Sequence, residues 1–332
     1  MTATELQQLG EELGLDAIGA APAAAYEETE RHIQERRARG LFADMKFTMA
    51  QPETSCHPET LLPGARTVIS AAHCYWTEEP PLEAGEGRLA RYTWYDGYAV
   101  LRERLDELGR RLGGSYRVLV DANQHVDREA AARSGVGFYG KNTMLITRRH
   151  GSWVVLGTLV TDVEIEPTPK LELDCGSCRL CIDACPTDAL DEPGTLDSTR
   201  CLSYWTQAPA PIPDDFRAEL GAQVYGCDIC QDVCPWNRRA RISLNEEFQP
   251  KAALFWPEIE QLLNKDETEW KEMISGTALR RAKVKGLLRN LMVVAGNSGV
   301  GEFRNALQKF LEHPEETVRS HAKWAIDKLK HK

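Results

Sequence analysis

Cys175, Cys178, Cys181 and Cys185-Pro186 spell C-x2-C-x2-C-x3-C-P, and a second set, Cys201, Cys227, Cys230 and Cys234-Pro235, follows it. Thiolates at i, i+3 and i+6 wrap three corners of an iron–sulfur cube from one loop. The residue before a proline is driven extended and points its sulfur elsewhere. In two-cluster ferredoxins the fourth cysteine of each run ligates the other cluster. The pattern therefore assigns Cys175, Cys178, Cys181 and Cys234 to one [4Fe–4S] cluster, and Cys185, Cys201, Cys227 and Cys230 to the other. Loops stapled in this way need little regular structure of their own.

Zinc and disulfides are the competing uses of such cysteines. Structural zinc closes one tetrahedron from two separated C-x2-C knuckles, not from three cysteines at equal steps ending in Cys-Pro. Disulfides call for an oxidising compartment. The first thirty residues include Glu5, Glu11, Glu12 and Asp16, with no Lys or Arg and no apolar signal core. No stretch reaches the length of a membrane span. The expectation is a cytoplasmic chain in which Cys56 and Cys74, outside both runs, are small buried hydrophobes.

With 332 residues, 42% of them hydrophobic, the chain has material for two or three cored domains. Up to Glu166 it alternates helix and strand patterns. An opening helix carries Leu6, Leu9 and Leu13, followed by a strand Thr67–Ala72, a helix Ala99–Leu112, a strand Tyr116–Val120, a helix Asp127–Ser134, and strands Met144–Thr147 and Trp153–Val163. This alternation argues for an α/β sandwich over 1–166. Glu166-Pro167-Thr168-Pro169 is a stiff linker, and a ferredoxin-like two-cluster part spans 167–240. The remainder, 241–332, is helical and repeats: Leu288-Arg289-Asn290 with Val294-Ala295 recurs as Val318-Arg319-Ser320 with Trp324-Ala325. Such a period suggests stacked HEAT-like helix pairs; two ordinary amphipathic helices are the alternative. The whole reads as an α+β multidomain protein.

A formal charge of −10 argues against a general nucleic-acid coat, whose affinity comes from neutralising phosphates. Any RNA partner must meet a local basic face. Arg280, Arg281, Lys283, Lys285 and Arg289, with no acid among them, supply one, although such a face is as readily a solvated helix side.

Gly135-Val136-Gly137-Phe138-Tyr139-Gly140 matches G-x-G-x-x-G by letter. A dinucleotide fingerprint must follow a strand and open a helix, whereas this one follows a helix and leads into a strand. Gly135 is expected to end that helix in a left-handed cap, and the other glycines to let backbone approach a large flat ligand.

Leu119-Val120-Asp121, then Arg128, Ala131, Ala132, Arg133 and the glycine run through Lys141-Asn142-Thr143, resemble the V-D-x-x-P-x-x-x-R-x-x-A-x-x-x-G-x-G-x-x-G-K-N segment of epoxyqueuosine reductases. Both cysteine runs, Leu61-Leu62-Pro63-Gly64-Ala65-Arg66 and the helical tail are similar as well, so the resemblance covers nearly the whole chain. It implies a cobalamin enzyme that reduces an epoxide on the wobble base of a tRNA to an alkene with loss of water, fed through two [4Fe–4S] clusters. It further implies the tRNA anticodon stem-loop as partner, an external donor of flavodoxin or ferredoxin type, no membrane, and a monomer. No D-x-H-x-x-G corrinoid box is present, so no histidine ligand to cobalt is expected from that motif.

Carried onto this sequence, the resemblance makes Asp121 the proton donor, with Asp96 the second choice. Asp121, Gly135, Gly137, Gly140, Lys141, Asn142 and Arg91 become the cofactor contacts. An alkoxide leaves poorly, so the epoxide oxygen needs a proton, and a carboxyl desolvated between corrin and substrate would be protonated at neutral pH. The competing role for Asp121 is that of a helix cap. Asp96-Gly97-Tyr98 departs from the family's R-Y-A-x-G-x-D-Y-H wording, and Ser55 stands where many members carry a basic residue, so neither contact carries over. Two other classes share part of this pattern. A reductive dehalogenase would use corrinoid and paired clusters but typically carries a twin-arginine signal, and a ferredoxin-type electron carrier would not need the large flanking parts.

Overall fold

A computed structural model describes residues 1–122, 124–243 and 250–330. The first part lays down α1 (Ala3–Glu12), β1 (Ala17–Pro22), α2 (Glu27–Ala38), β2 (Thr67–Cys74), α3 (Gly97–Leu112), β3 (Tyr116–Val120), α4 (Asp127–Arg133) and β4 (Val154–Thr161). The two longest strands, β2 and β4, are buried along their whole length and pair antiparallel from Thr67 opposite Thr161 to Cys74 opposite Val154. β1 and β3 flank them, giving an antiparallel sheet of order β1-β2-β4-β3.

Alternation along the central strands supplies a core on each face. Ile69, Ala71 and Leu159 pack with Leu6 of α1 and Leu101, Leu105 and Leu108 of α3. Val68 and Val160 face Ile33 of α2 and Ala130 of α4, with Ala72, Leu156 and Ala131 continuing that face. The sheet is thus sandwiched by helices, as the sequence pattern implies. The expected strand Met144–Thr147 does not join it: Leu145–Ile146 pairs with Phe138–Tyr139 in a separate hairpin.

The cysteine segment is mostly loop, with single helical turns such as Leu180–Asp183 and Ile229–Asp232. Beyond it lie a 3-10 turn, Ala278–Ala282, then α5 (Lys283–Ser298) and α6 (Glu316–Leu329). Leu287, Leu291, Met292 and Val294 of α5 and Val318, Ala322 and Ala325 of α6 share one core, which also takes in Leu89, Trp94, Leu202, Ile212, Val224 and Tyr225. The helical tail therefore shares its hydrophobic interior with residues of both preceding parts.

Arg289 belongs to that interior, not to the basic face to which the sequence pattern assigns it. It is 1% exposed and donates to the carbonyls of Ala208, Ala210 and Trp205, while its neighbour Asn290 donates to Thr206 and Val224. Burial pulls its pKa down to about 10, and the carbonyl fork keeps the charge solvated by protein. Arg289→Ala would leave those acceptors unsatisfied and open a cavity. We expect a loss of at least about 2 kcal/mol in denaturant unfolding, with the stability of the sandwich core measured in parallel.

Candidate active site and cluster cavity

Cys175, Cys178, Cys181 and Cys234 line a cavity of about 160 Å³ together with Lys141, Asn142, Ile146, Pro235 and Trp236. The tight turn at Gly176, with φ +50, lets the first loop curl around it. Cys185, Cys201, Cys227 and Cys230 form the other neighbourhood, each close enough to influence the ionisation of another. Burial first, and neighbouring thiolates next, push up the thiols of Cys181, Cys227 and Cys230. A thiol must ionise to ligate metal, and crowded thiolates become tolerable when cationic iron sits among them. The donor set therefore fits two iron–sulfur cubes. Cys56 and Cys74 lie apart and are fully buried, their thiols raised by burial to about 11 and about 12.

Lys141 and Asn142 serve this cavity. The Lys141 ammonium donates to the carbonyls of Gly176 and Cys178 at 2.6 and 2.9 Å, and the Asn142 amide donates to the Cys230 carbonyl at 3.4 Å. Two adjacent residues thus reach the loops of both cysteine sets.

The glycines before them lie against protein on the side where a Cβ would stand. Gly135 closes α4 in a Schellman arrangement, with Val136 N–H on Ala131 and Gly135 N–H on Ala132. A Cβ there would meet the Pro169 carbonyl at 2.2 Å, and one on Gly137 would meet the Ile146 carbonyl at 2.7 Å. At Gly140 it would meet the Asn142 side chain at 2.6 Å. Protein packing alone accounts for all three. Arg91, also assigned to the corrinoid, is 4% exposed and paired with Glu79, Asp228 and Asp232. Neighbouring protein thus explains the lack of a side chain at the three glycines, and carboxylates occupy the Arg91 guanidinium.

Asp121 sits just past β3, where the sandwich meets the tail. Its φ of +52 is unusual for a non-glycine residue. It is no helix cap: Val126 precedes α4 and makes no capping bond. Asp96, by contrast, caps α3 by accepting from the Ala99 N–H at 3.2 Å, which gives it a structural occupation. The Asp121 side chain is 39% exposed, so the protein alone does not supply the desolvation expected from the sequence. It is ion-paired with Arg281 of the tail.

Arg281 reaches from the tail to the Asp121 carboxylate. Its guanidinium lies 5.4 Å from the Tyr98 ring. Burial works against its charge, but Tyr98, Tyr92, Asp121 and Tyr225 hold its pKa above the ordinary value. Sequence reasoning missed these three tyrosines, although Tyr92 and Tyr98 fall within the aromatic stretch singled out for Asp96. Arg280, Lys283 and Lys285 are exposed beside Arg281, and Lys285 also reaches Glu315 at 3.3 Å.

Residues 174–237 match the family "4Fe-4S double cluster binding domain", and residues 56–127 match "Epoxyqueuosine reductase QueG, DUF1730". The epoxyqueuosine reductase of Lactococcus garvieae is 34% identical, over 99% of this chain and 96% of its own length. The solved Bacillus subtilis epoxyqueuosine reductase, with its aspartate-bearing catalytic loop swung out of the active site, has a TM-score of 0.92 at 31% identity, covering 98% of this chain and 90% of its own. An epoxyqueuosine reductase solved with a tRNA-Tyr epoxyqueuosine-modified stem loop has a TM-score of 0.89 at 32% identity, covering 98% and 89%.

Cys234 lines the cavity of the first cysteine run, so Cys234→Ala should lose about half of the bound iron. Cys185→Ala should take a comparable share from the other set and abolish turnover. Iron analysis with low-temperature EPR separates the two, and full iron retention in either variant rules out the corresponding ligand.

Proposed function

The chain belongs to the epoxyqueuosine reductase family, and on that footing we propose that it reduces epoxyqueuosine to queuosine at the wobble position of tRNA. The overall change adds two electrons and two protons to the epoxide and releases water, leaving an alkene. The two [4Fe–4S] clusters relay the electrons, and cobalamin, when bound, supplies the reductant. The chain's own part is to hold the clusters, to seat the RNA and to deliver a proton to the leaving oxygen.

Asp121 carries this reading. It is a carboxyl where the sandwich meets the tail, on a loop that its ion pair ties to the tail. A bound nucleoside would cover the exposed part of its side chain and so desolvate it. Arg280, Lys283 and Lys285 are exposed beside Arg281, where a stem-loop's phosphates would lie. The division 1–166, 167–240 and 241–332, with a HEAT-like tRNA-binding tail, belongs to the same proposal, supported by the packing of α5 on α6. So do a flavodoxin- or ferredoxin-type donor and a monomeric, cytoplasmic chain; among the described residues no helix is long and apolar enough to cross a membrane.

Anaerobic incubation with epoxyqueuosine-containing tRNA, followed by nucleoside analysis, tests the activity directly, and a chain loaded with clusters and cobalamin that forms no queuosine would overturn it. Asp121→Asn keeps the shape and removes the donor, and should slow the chemical step by about 10²–10⁴ while tRNA still binds. A near-wild-type single-turnover rate would move the proton to another source.

The basic face makes a separable prediction. Arg280→Ala with Lys283→Ala should raise KM for tRNA with little change in kcat, as lost uniform binding does. The salt dependence of binding should flatten by about 0.7–0.9 log units per lost phosphate contact. An unchanged slope would make this a solvated face.

A further inference from the structure

A carboxyl that is to protonate a leaving oxygen must hold a proton, whereas a carboxylate bonded to a guanidinium is in its ionised form. Asp121 is bonded to Arg281, so the contact seen here is incompatible with the donor role assigned to Asp121 while it lasts. The other half of the pair is fixed more firmly. Arg281 rises from the 3-10 turn Ala278–Ala282, with its guanidinium over Tyr98. The turn is itself anchored where the Tyr225 hydroxyl donates to the Ala278 carbonyl at 2.9 Å. The Arg281 side chain is only 29% exposed, and exposed Arg280 and Lys283 flank it. That setting suits a phosphate, which a guanidinium fork binds in two-point fashion as readily as a carboxylate.

Resting on the reading of Asp121 as proton donor, we propose that Arg281 is a positioning residue for which Asp121 and an RNA phosphate compete. Without RNA it holds the Asp121 carboxylate toward the tail. When a stem-loop docks, a backbone phosphate takes the guanidinium and the carboxylate is released toward the reacting base, free to take up a proton. The acid is thereby armed by the substrate that needs it. The exchange asks for movement only of the loop after β3, because the tyrosines keep the guanidinium in place for either anion.

A binding cycle tests the competition without recourse to turnover. The dissociation constant of an anticodon stem-loop RNA is measured for wild type, Asp121→Asn, Arg281→Gln and the double variant, each checked for iron content and circular dichroism. Removing the competing carboxylate in Asp121→Asn should tighten RNA binding by about two- to five-fold, the scale of a part-exposed ion pair. In the Arg281→Gln background the same substitution should have no effect. Arg281→Lys, which keeps the charge, should preserve part of the tightening. No tightening, or equal tightening in both backgrounds as expected from simple removal of a negative charge near RNA, overturns the proposal, as does a stem-loop with no affinity for wild type. Turnover of wild type is followed alongside: turnover with a flat cycle defeats the exchange alone, whereas an intact cycle with no queuosine formed defeats the enzymatic reading.

Discussion

One buried guanidinium holds the parts of this protein in register. Arg91 leaves the sandwich side of the chain and binds Glu79 at 2.5 Å, together with Asp228 and Asp232 of the second cysteine segment at 3.1 and 2.7 Å. Its plane lies among Trp76, Trp153 and Trp256, the last belonging to the tail. Burying a charge costs several kcal/mol, and the arrangement is tolerable only because three carboxylates and three ring faces replace the lost water. Burial pushes the pKa of Asp228 up while Arg91 pulls against it, so each partner makes the other's burial possible. Asp228 lies between Cys227 and Cys230, and the same guanidinium therefore fixes where the second cysteine loop lies against the sheet.

Around that junction the side chains nearest the cysteines act on backbone. Lys141 and Asn142 bind carbonyls of both cysteine loops, and Gln231 and Asn237 knit the second loop to Ser152 at the start of β4. Loops with so little regular hydrogen bonding need such partners for their peptide groups. The sandwich thus supplies the frame, and the cysteines supply the ligands.

The sequence made some of this legible and hid the rest for physical reasons. Ligand spacing is local, so the cysteine runs could be read directly, as could α3 and β2, whose apolar periodicity is plain. β1 could not: Ala17–Pro22 is AIGAAP, with almost no branched residues, and it is a strand because it pairs with β2 and because Gly19 lets the Ser134 carbonyl pass where a Cβ would stand at 1.9 Å. The fates of the arginines were equally hidden. Arg91, Arg281 and Arg289 look alike in a sequence, yet one joins the parts, one pairs with Asp121 and one is walled in by carbonyls, because their partners lie far away along the chain. The G-x-G-x-x-G run hid its packing for a related reason: Gly135 and Gly137 lie against distant backbone carbonyls and Gly140 against the Asn142 and Ile146 side chains, which a linear pattern does not show.

The left-handed backbone at Asp121 has a consequence for how quickly such a site can respond. Holding a non-glycine residue there costs on the order of 1 kcal/mol, and a part-exposed ion pair returns a similar amount, roughly 0.2–1 kcal/mol. The two terms are of similar size and opposite sign, so the ion pair adds little net hold on this backbone conformation. An element so poised can be tipped by a small fraction of the energy of a large docking event, leaving the rest to hold the RNA. Under the exchange proposed for Arg281, discrimination among transcripts is expressed in how long Asp121 stays unlatched, rather than in how tightly each RNA is gripped.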